Sequence, residues 1–151
     1  FCLSRGLGDV YKRQVDTGAE LLTGGRRLNR EGSFYAPTIL SNVSDNAKLM
    51  NDEPFGPLLP IDSFHSIDEV IERANRLEFG LASYAFTNDS KIINALQADI
   101  QSGLLAINSM VVSTPETPFG GIKHSGYGSE GGVEGLEAFL VTRFLTETFN
   151  L

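Results

Sequence analysis

Between Leu81 and Asn108 the chain runs through an apolar strand pattern, "LASYAFT", a capped amphipathic stretch, "NDSKIINALQADI", and a second apolar strand pattern, "LLAIN". Strands alternating with helices come in the order a parallel sheet requires, with the helix as the crossover. Asn88 or Asp89 is placed to cap that helix, because a short polar side chain satisfies N–H groups that the first turn leaves free. Ile92, Ile93, Leu96 and Ile100 recur at helical spacing as its buried stripe, and Gly103 is the expected stop. The nearly all-apolar "LLAIN" is what a strand covered on both faces requires.

The same alternation extends through the rest of the chain. "AELLTGG" and "SFYAPTIL" read as strands, the first closed by Gly24 and Gly25, the second carrying Pro37, which suits a strand end or sheet edge. "PLLPIDSF" is a further short strand. Ser66 with Glu69 forms a capping box ahead of Val70, Ile71, Ala74 and Leu77, and Gly80 is the expected end of that helix. "VEGLEAFL" reads as a short helix and "VTRFLTETF" as a late strand with no obvious partner nearby. The fold class is therefore α/β, with a parallel sheet.

A net charge of −7 over 151 residues disfavours nucleic acid and anionic membrane surfaces as partners, since both would be repelled by most of the surface. No apolar run is long enough to cross a bilayer and no secretory pattern is present, so a cytoplasmic location is expected. His65 and His124 stand alone and imply no metal site; Asp62, Asp68 and Glu69 read as a solvated helix start rather than an acid/base pair. The two N-x-S sequons, at Asn42 and Asn88, carry little meaning without a secretory pattern.

Residues 1–14 share no pattern with the rest of the chain. Their end, "DVYKRQ", resembles the translation of a transposon mosaic end, so the segment is expected to be foreign to the fold, and Cys2 with it. Without Arg5, Lys12, Arg13 and Asp9 the formal charge moves from −7 to −9, and the remaining sequence, 15–151, holds no thiol.

Two stretches have the composition of a functional site. In "NDEPFGP" (Asn51 to Pro57) two prolines and a glycine can hold a carboxylate and an aromatic ring at a loop edge. The same heptapeptide would also serve as a tight turn around a core phenylalanine. The glycine-rich "PFGGIKHSGYGSEGG" (Pro118 to Gly132) fits neither a Walker loop nor a dinucleotide fingerprint. Phe119, Ile122 and Tyr127 punctuate its glycines as anchors would, which points to a shaped loop rather than a linker.

"GSFYAPTIL", "NDEPFGP", "ANRLEFGLASYAFTND", "GLLAIN" and "PFGGIKHSGYGSEGG" come in the order and at about the spacing of the C-terminal end of the NAD(P)-dependent aldehyde dehydrogenase superfamily, which this chain resembles from Val15 onward. "STPETPFGG" with "GYGSEGG" is most similar to the semialdehyde branch, that of the succinate-semialdehyde dehydrogenases. The resemblance implies the C-terminal part of the catalytic domain, a parallel-sheet α/β unit with an oligomerisation strand over 141–149. It implies NAD or NADP as cofactor, a small aldehyde as substrate and a homo-oligomeric parent enzyme. Glu53 matches the glutamate that binds the nicotinamide ribose hydroxyls, and Phe55 the phenylalanine beside the nicotinamide. Ser113, Thr114 and Phe119 fall where the family lines its aldehyde pocket. Asn108 matches an asparagine that shapes the chain, and Glu130 a glutamate that orders the subunit interface by pairing with arginines, although Ser129 replaces the arginine usual before it.

The resemblance also implies what this stretch lacks: the family's nucleophilic cysteine, general-base glutamate and nucleotide-binding part match nothing here, so the chain alone is expected to be inactive. A non-catalytic α/β binding or assembly module remains the alternative, and within the family another semialdehyde or a general aliphatic aldehyde remains open as substrate. Ser113 and Thr114 either meet a substrate carboxylate or satisfy loop backbone ahead of Pro115.

Overall fold

A computed structural model describes residues 12–16 and 18–149, in two compact units that divide after Phe64. Cys2 and most of the segment read as foreign lie outside the described residues. Residues 12–16 form a helical turn (α1) in which Gln14 is buried and its carbonyl accepts from Ala19 N–H at 2.9 Å.

The first unit is a three-stranded sheet in the order β1 (Glu20–Thr23), β2 (Thr38–Ser41), β3 (Leu58–Ile61). β1 runs antiparallel to β2 with an irregularity between Leu21 and Thr23, whereas β2 and β3 are parallel in the register Thr38 to Leu58 and Ser41 to Ile61. The sheet is thus mixed rather than wholly parallel. β2 starts one residue later than Pro37, which has no N–H to give a ladder, and β3 can hold Pro60 because it lies at the sheet edge. Leu40 is fully buried among Ala19, Val43, Leu49 and Leu58; burial of a leucine side chain contributes about 1.5–3 kcal/mol.

Thr38, only 1% exposed, ties this unit together. Its hydroxyl donates to Ala36 C=O and accepts from Gly25 N–H, both at 2.8 Å, which fixes the turn after β1 against the start of β2. The bond to Gly25 N–H is buried, so losing this acceptor costs more than a single exposed hydrogen bond would.

In the second unit α2 (Ile67–Asn75) starts as the sequence predicts, with Ser66 Oγ accepting from Glu69 N–H at 3.2 Å. The returning Glu69 carboxylate accepts from His65 N–H at 2.9 Å, one residue before the cap. Ile71 is the buried residue of the stripe; Ala74 is exposed. β5 (Ala82–Ala85), α3 (Ser90–Asp99) and β6 (Leu104–Ile107) then form the expected unit of two parallel strands with a helical crossover. Asp89 is the cap, its Oδ1 accepting from Lys91 N–H at 2.8 Å, and Leu96 and Ala106 are buried.

Two further expectations change, the glycine stops and the late short helix. Gly80 and Gly103 do not end helices, which stop earlier, at Asn75 and Asp99. Gly80 instead lies in β4 (Phe79–Gly80), paired antiparallel with β7 (Ile122–Lys123). The segment expected as an oligomerisation strand, 141–149, joins no ladder within this chain among the described residues, and its apolar side chains are open to a neighbour, Val141 95% and Phe144 87% exposed. A strand is defined by backbone bonds to a neighbour, and no sheet edge of this unit pairs with the segment. The short helix before it is a 3-10 turn, Glu134–Phe139. No helix of the described residues is long and apolar enough to cross a membrane.

Replacing Thr38 by the near-isosteric valine is expected to cost about 1–3 kcal/mol, because it strips the buried Gly25 N–H of its acceptor while keeping the volume. Urea unfolding followed by circular dichroism measures it, and a loss within about 0.5 kcal/mol, the range of an ordinary surface change, would deny the bond this role.

Candidate functional site

In the first unit, "NDEPFGP" becomes a loop held at both ends. A 3-10 turn, Lys48–Met50, leads into it, and Asn51 fastens the junction: its side-chain amide donates to Asp45 C=O at 2.8 Å and Ala47 C=O at 2.7 Å. At the far end Pro57 C=O accepts from Thr38 N–H at 2.8 Å, so the loop hands over directly to the β2–β3 ladder. Two successive tight turns, Gly56 N–H to Pro54 C=O at 2.7 Å and Leu58 N–H to Gly56 C=O at 2.9 Å, set the path between. Glu53 and Phe55 are both exposed, Phe55 to 75%. That exposure decides against a core phenylalanine. The Lys48–Asp52 ion pair at 3.5 Å is exposed and adds little.

In the second unit Asn108 closes β6. It takes a positive φ of 54°, a region asparagine tolerates better than most residues. Its backbone N–H donates to Ala85 C=O at 2.8 Å, and its side chain grips Thr87 on both sides, accepting from the N–H at 2.9 Å and donating to the C=O at 2.8 Å. The chain leaving Asn108 is thereby aimed along a concavity of about 240 Å³, walled by Leu104 and Leu105 on the strand side and by Val111, Val112, Thr114, Thr117 and Pro118 on the loop side. Thr114 opens a turn in which Thr117 N–H returns to Thr114 C=O at 3.2 Å, and the two threonine hydroxyls lie 3.1 Å apart.

The glycine-rich stretch is a loop closed at its base: Phe119 and Glu130 exchange both backbone hydrogen bonds at 2.7 Å. Within it, His124 N–H donates to Glu78 C=O at 2.9 Å, Ser125 Oγ accepts from Gly80 N–H at 2.9 Å, and Lys123 Nζ donates to Asn75 C=O at 3.1 Å and Leu77 C=O at 3.0 Å. A Cβ added at Gly103 would run into the Gly120 carbonyl, so the two backbones meet where only glycine fits.

The aldehyde dehydrogenase family model matches residues 5–145. The chain belongs to the aldehyde dehydrogenase family. It is 46% identical to a 4-(hydroxymethyl)benzenesulfonate dehydrogenase of Comamonas testosteroni, over 91% of this chain and 28% of that one. It is 41% identical to the NADP(+) succinate-semialdehyde dehydrogenase of Saccharomyces cerevisiae, over 87% of this chain and 27% of that one. Among solved structures, the succinate-semialdehyde dehydrogenase of Burkholderia pseudomallei superposes with a TM-score of 0.86 at 32% identity, over 93% of this chain and 29% of that one. The chain therefore spans less than a third of the length of these relatives.

Against the aldehyde dehydrogenase pattern, the structure groups Glu53 with Phe55 in the first unit and Asn108, Ser113, Thr114, Phe119 and Glu130 in the second. Thr114 lines the concavity while its hydroxyl meets Thr117, a local task of the kind serines and threonines often perform in turns. Ser113 beside it is exposed. Phe119 is half-buried at the loop base, and Glu130 meets it through backbone groups. Lys123, Ser125 and Asn75 do not stand out in the sequence. A cation near a helix C-terminus is a known signal, but Lys123 and Asn75 are 48 positions apart, and nothing local in sequence joins them.

Changing Asn108 in two steps separates its bonds. Aspartate keeps the acceptor for Thr87 N–H and loses the donor, at an expected cost of about 0.5–1.5 kcal/mol; alanine loses both and the tolerance of positive φ, at about 1–3 kcal/mol. Equal denaturation midpoints for the two variants would contradict the two-sided grip.

Proposed function

We propose that this chain is the C-terminal part of the catalytic machinery of an NAD(P)-dependent aldehyde dehydrogenase, one that oxidises a small aldehyde with an anionic far end, succinate semialdehyde being the leading candidate. The observation that carries the reading is the 51–57 loop, which presents a carboxylate and a ring outward from a backbone pinned at both ends. An exposed carboxylate can accept hydrogen bonds from a pair of sugar hydroxyls, and an exposed ring can cover a flat heteroaromatic, so Glu53 and Phe55 suit a nicotinamide riboside. When bound, the nicotinamide supplies the hydride acceptor. The residues of this chain would contribute position: Glu53 fixes the ribose, Phe55 limits tilt of the ring, and the prolines keep both from drifting.

For the substrate, the mostly apolar wall of the 104–118 concavity suits a short carbon chain. An anion at its far end needs donors, and Ser113, exposed beside Thr114 of the loop wall, offers a hydroxyl and an N–H without the local duty that occupies Thr114. The relatives named for a succinate semialdehyde and for a benzenesulfonate agree with an anionic substrate class. Activity is expected of the full-length enzyme rather than of this chain. The unladdered apolar segment 141–149 supports a homo-oligomer in which that segment adds to a neighbour's sheet.

In a full-length enzyme carrying this segment, Glu53→Gln is expected to lower the hydride-transfer rate at least about tenfold while leaving the unfolding midpoint unchanged, since a ribose contact orients the nicotinamide. Unaltered single-turnover rates would remove Glu53 from the site. Ser113→Ala is expected to lower kcat/KM for succinate semialdehyde by about 1.5–3 kcal/mol, one hydrogen bond to a charged group, and to spare butanal. Equal effects on the two aldehydes would show that Ser113 does not meet the carboxylate.

A further inference from the structure

We propose that Asn75 is a positioning residue that sets the spacing between the two walls of the 104–118 concavity, with Lys123 as the other half of the same brace. The proposal rests on reading that concavity as the aldehyde site.

Asn75 is the last residue of α2, and it is engaged in two directions at once. Its side-chain amide donates to Asp99 C=O at 2.7 Å, where α3 ends, and its side-chain oxygen accepts from Gln101 N–H at 2.7 Å, just before β6. The amide orientation is set by these partners, since the reverse would place two donors against each other and two acceptors against each other. In this way Asn75 fixes the approach to the strand wall: Gln101 leads through Gly103 to Leu104 and Leu105.

The backbone carbonyl of the same residue is one of those left without an intrahelical partner at a helix C-terminus. Lys123 Nζ donates to it at 3.1 Å and to Leu77 C=O at 3.0 Å. An ammonium there satisfies two free carbonyls and opposes the negative end of the helix dipole. Lys123 itself has a φ of 54°, a conformation that favours glycine or asparagine. A lysine in that conformation, within a loop that uses glycine freely, indicates that its side chain is needed. Lys123 lies three residues beyond Gly120, which is packed on Gly103, and five beyond Pro118 in the loop wall.

One residue therefore holds the strand wall through its side chain and the loop wall through its carbonyl. Removing either bond set frees one wall to shift against the other. A shift of this kind disturbs contacts with the far end of a longer substrate before it disturbs a short one, because only the longer substrate reaches along both walls.

The test has two arms. In the 151-residue chain, amide hydrogen exchange at Gly103 and Leu104, which donate to Gly80 C=O and Leu81 C=O, is read for Asn75→Ala, whose side chain does not touch either amide directly. Faster exchange at both is expected, and exchange equal to wild type would overturn the brace whether or not any aldehyde is oxidised. In the full-length enzyme carrying this segment, Asn75→Ala and Lys123→Met are each expected to raise KM for succinate semialdehyde about tenfold. Each should leave kcat for propanal within about twofold, and the double variant should be no worse than the worse single one. Lys123→Arg, which keeps a cation in reach of both carbonyls, should restore KM. Equal losses on both aldehydes, additive losses in the double variant, or failure of arginine to rescue would overturn the positioning role. A wild-type enzyme that oxidises no aldehyde, with the exchange arm positive, would instead overturn the reading of the concavity as an aldehyde site.

Discussion

Gly103 brings two backbones into contact at a point where a side chain on its own strand would strike the Gly120 carbonyl. This approach is what lets a loop from late in the sequence lie flat against the start of β6. With a methyl group at Gly103 the Gly120 carbonyl would have to move, and behind it the Phe119–Glu130 bridge that closes the loop. Close packing leaves little room for such a movement to be absorbed locally. The hydrogen bonds from Lys123, His124 and Gly80 then hold the loop at points spaced along it. Each is worth only about 0.5–3 kcal/mol, but they act on a backbone whose position is already restricted, so little conformational entropy remains to be lost in forming them.

The first unit solves a similar problem differently. There the loop that offers Glu53 and Phe55 is tied at one end by the backbone bond from Thr38 N–H to Pro57 C=O and at the other by Asn51, and proline restricts the path between. Pro54 and Pro57 restrict φ, while the Asn51 amide supplies two bonds to carbonyls of the preceding turn. Phe55, 75% exposed, keeps its ring uncovered at the tip of a constrained loop. Position without burial is a common mark of groups that act on a ligand.

The sequence made the local elements legible where a local signal existed. Ser66 and Asp89 announce their helices because a cap works within three residues, and β5–α3–β6 shows the change of period that any parallel unit must carry. Gly80 and Gly103 mislead because a glycine shortly after a helix usually serves as a stop, whereas these two answer contacts with Gln101 and Gly120. The segment 141–149 differs in state from its strand-like composition, which fixes a preference that only a neighbouring edge turns into a ladder. For the site, Glu53, Phe55 and Asn108 stand out by their company of prolines or by their place at a strand end. Lys123 and Asn75 do not, because a lysine in a glycine-rich loop and an asparagine in a helix look ordinary until the fold puts one above the other.

The charge of the chain sets a condition on any anionic substrate. With 19 acidic against 12 basic residues, the general field repels a carboxylate, and Glu116 lies only three positions from Ser113. Magnitudes decide the matter. Two unit charges about 8 Å apart in water interact by roughly 0.5 kcal/mol, and at physiological salt the screening length of about 8 Å reduces this further. A hydrogen bond from a hydroxyl or N–H to a charged oxygen contributes about 1.5–3 kcal/mol. Surface charge would therefore weaken the approach of an anionic substrate more than its hold, and a few donors fixed at the right place would outweigh a larger number of exposed carboxylates. For the proposed substrate, the fixed position of donors along 104–132 would thus matter more than the net charge. A donor that drifts loses its bond within a fraction of an ångström, while the repulsion, varying slowly with distance, stays nearly constant.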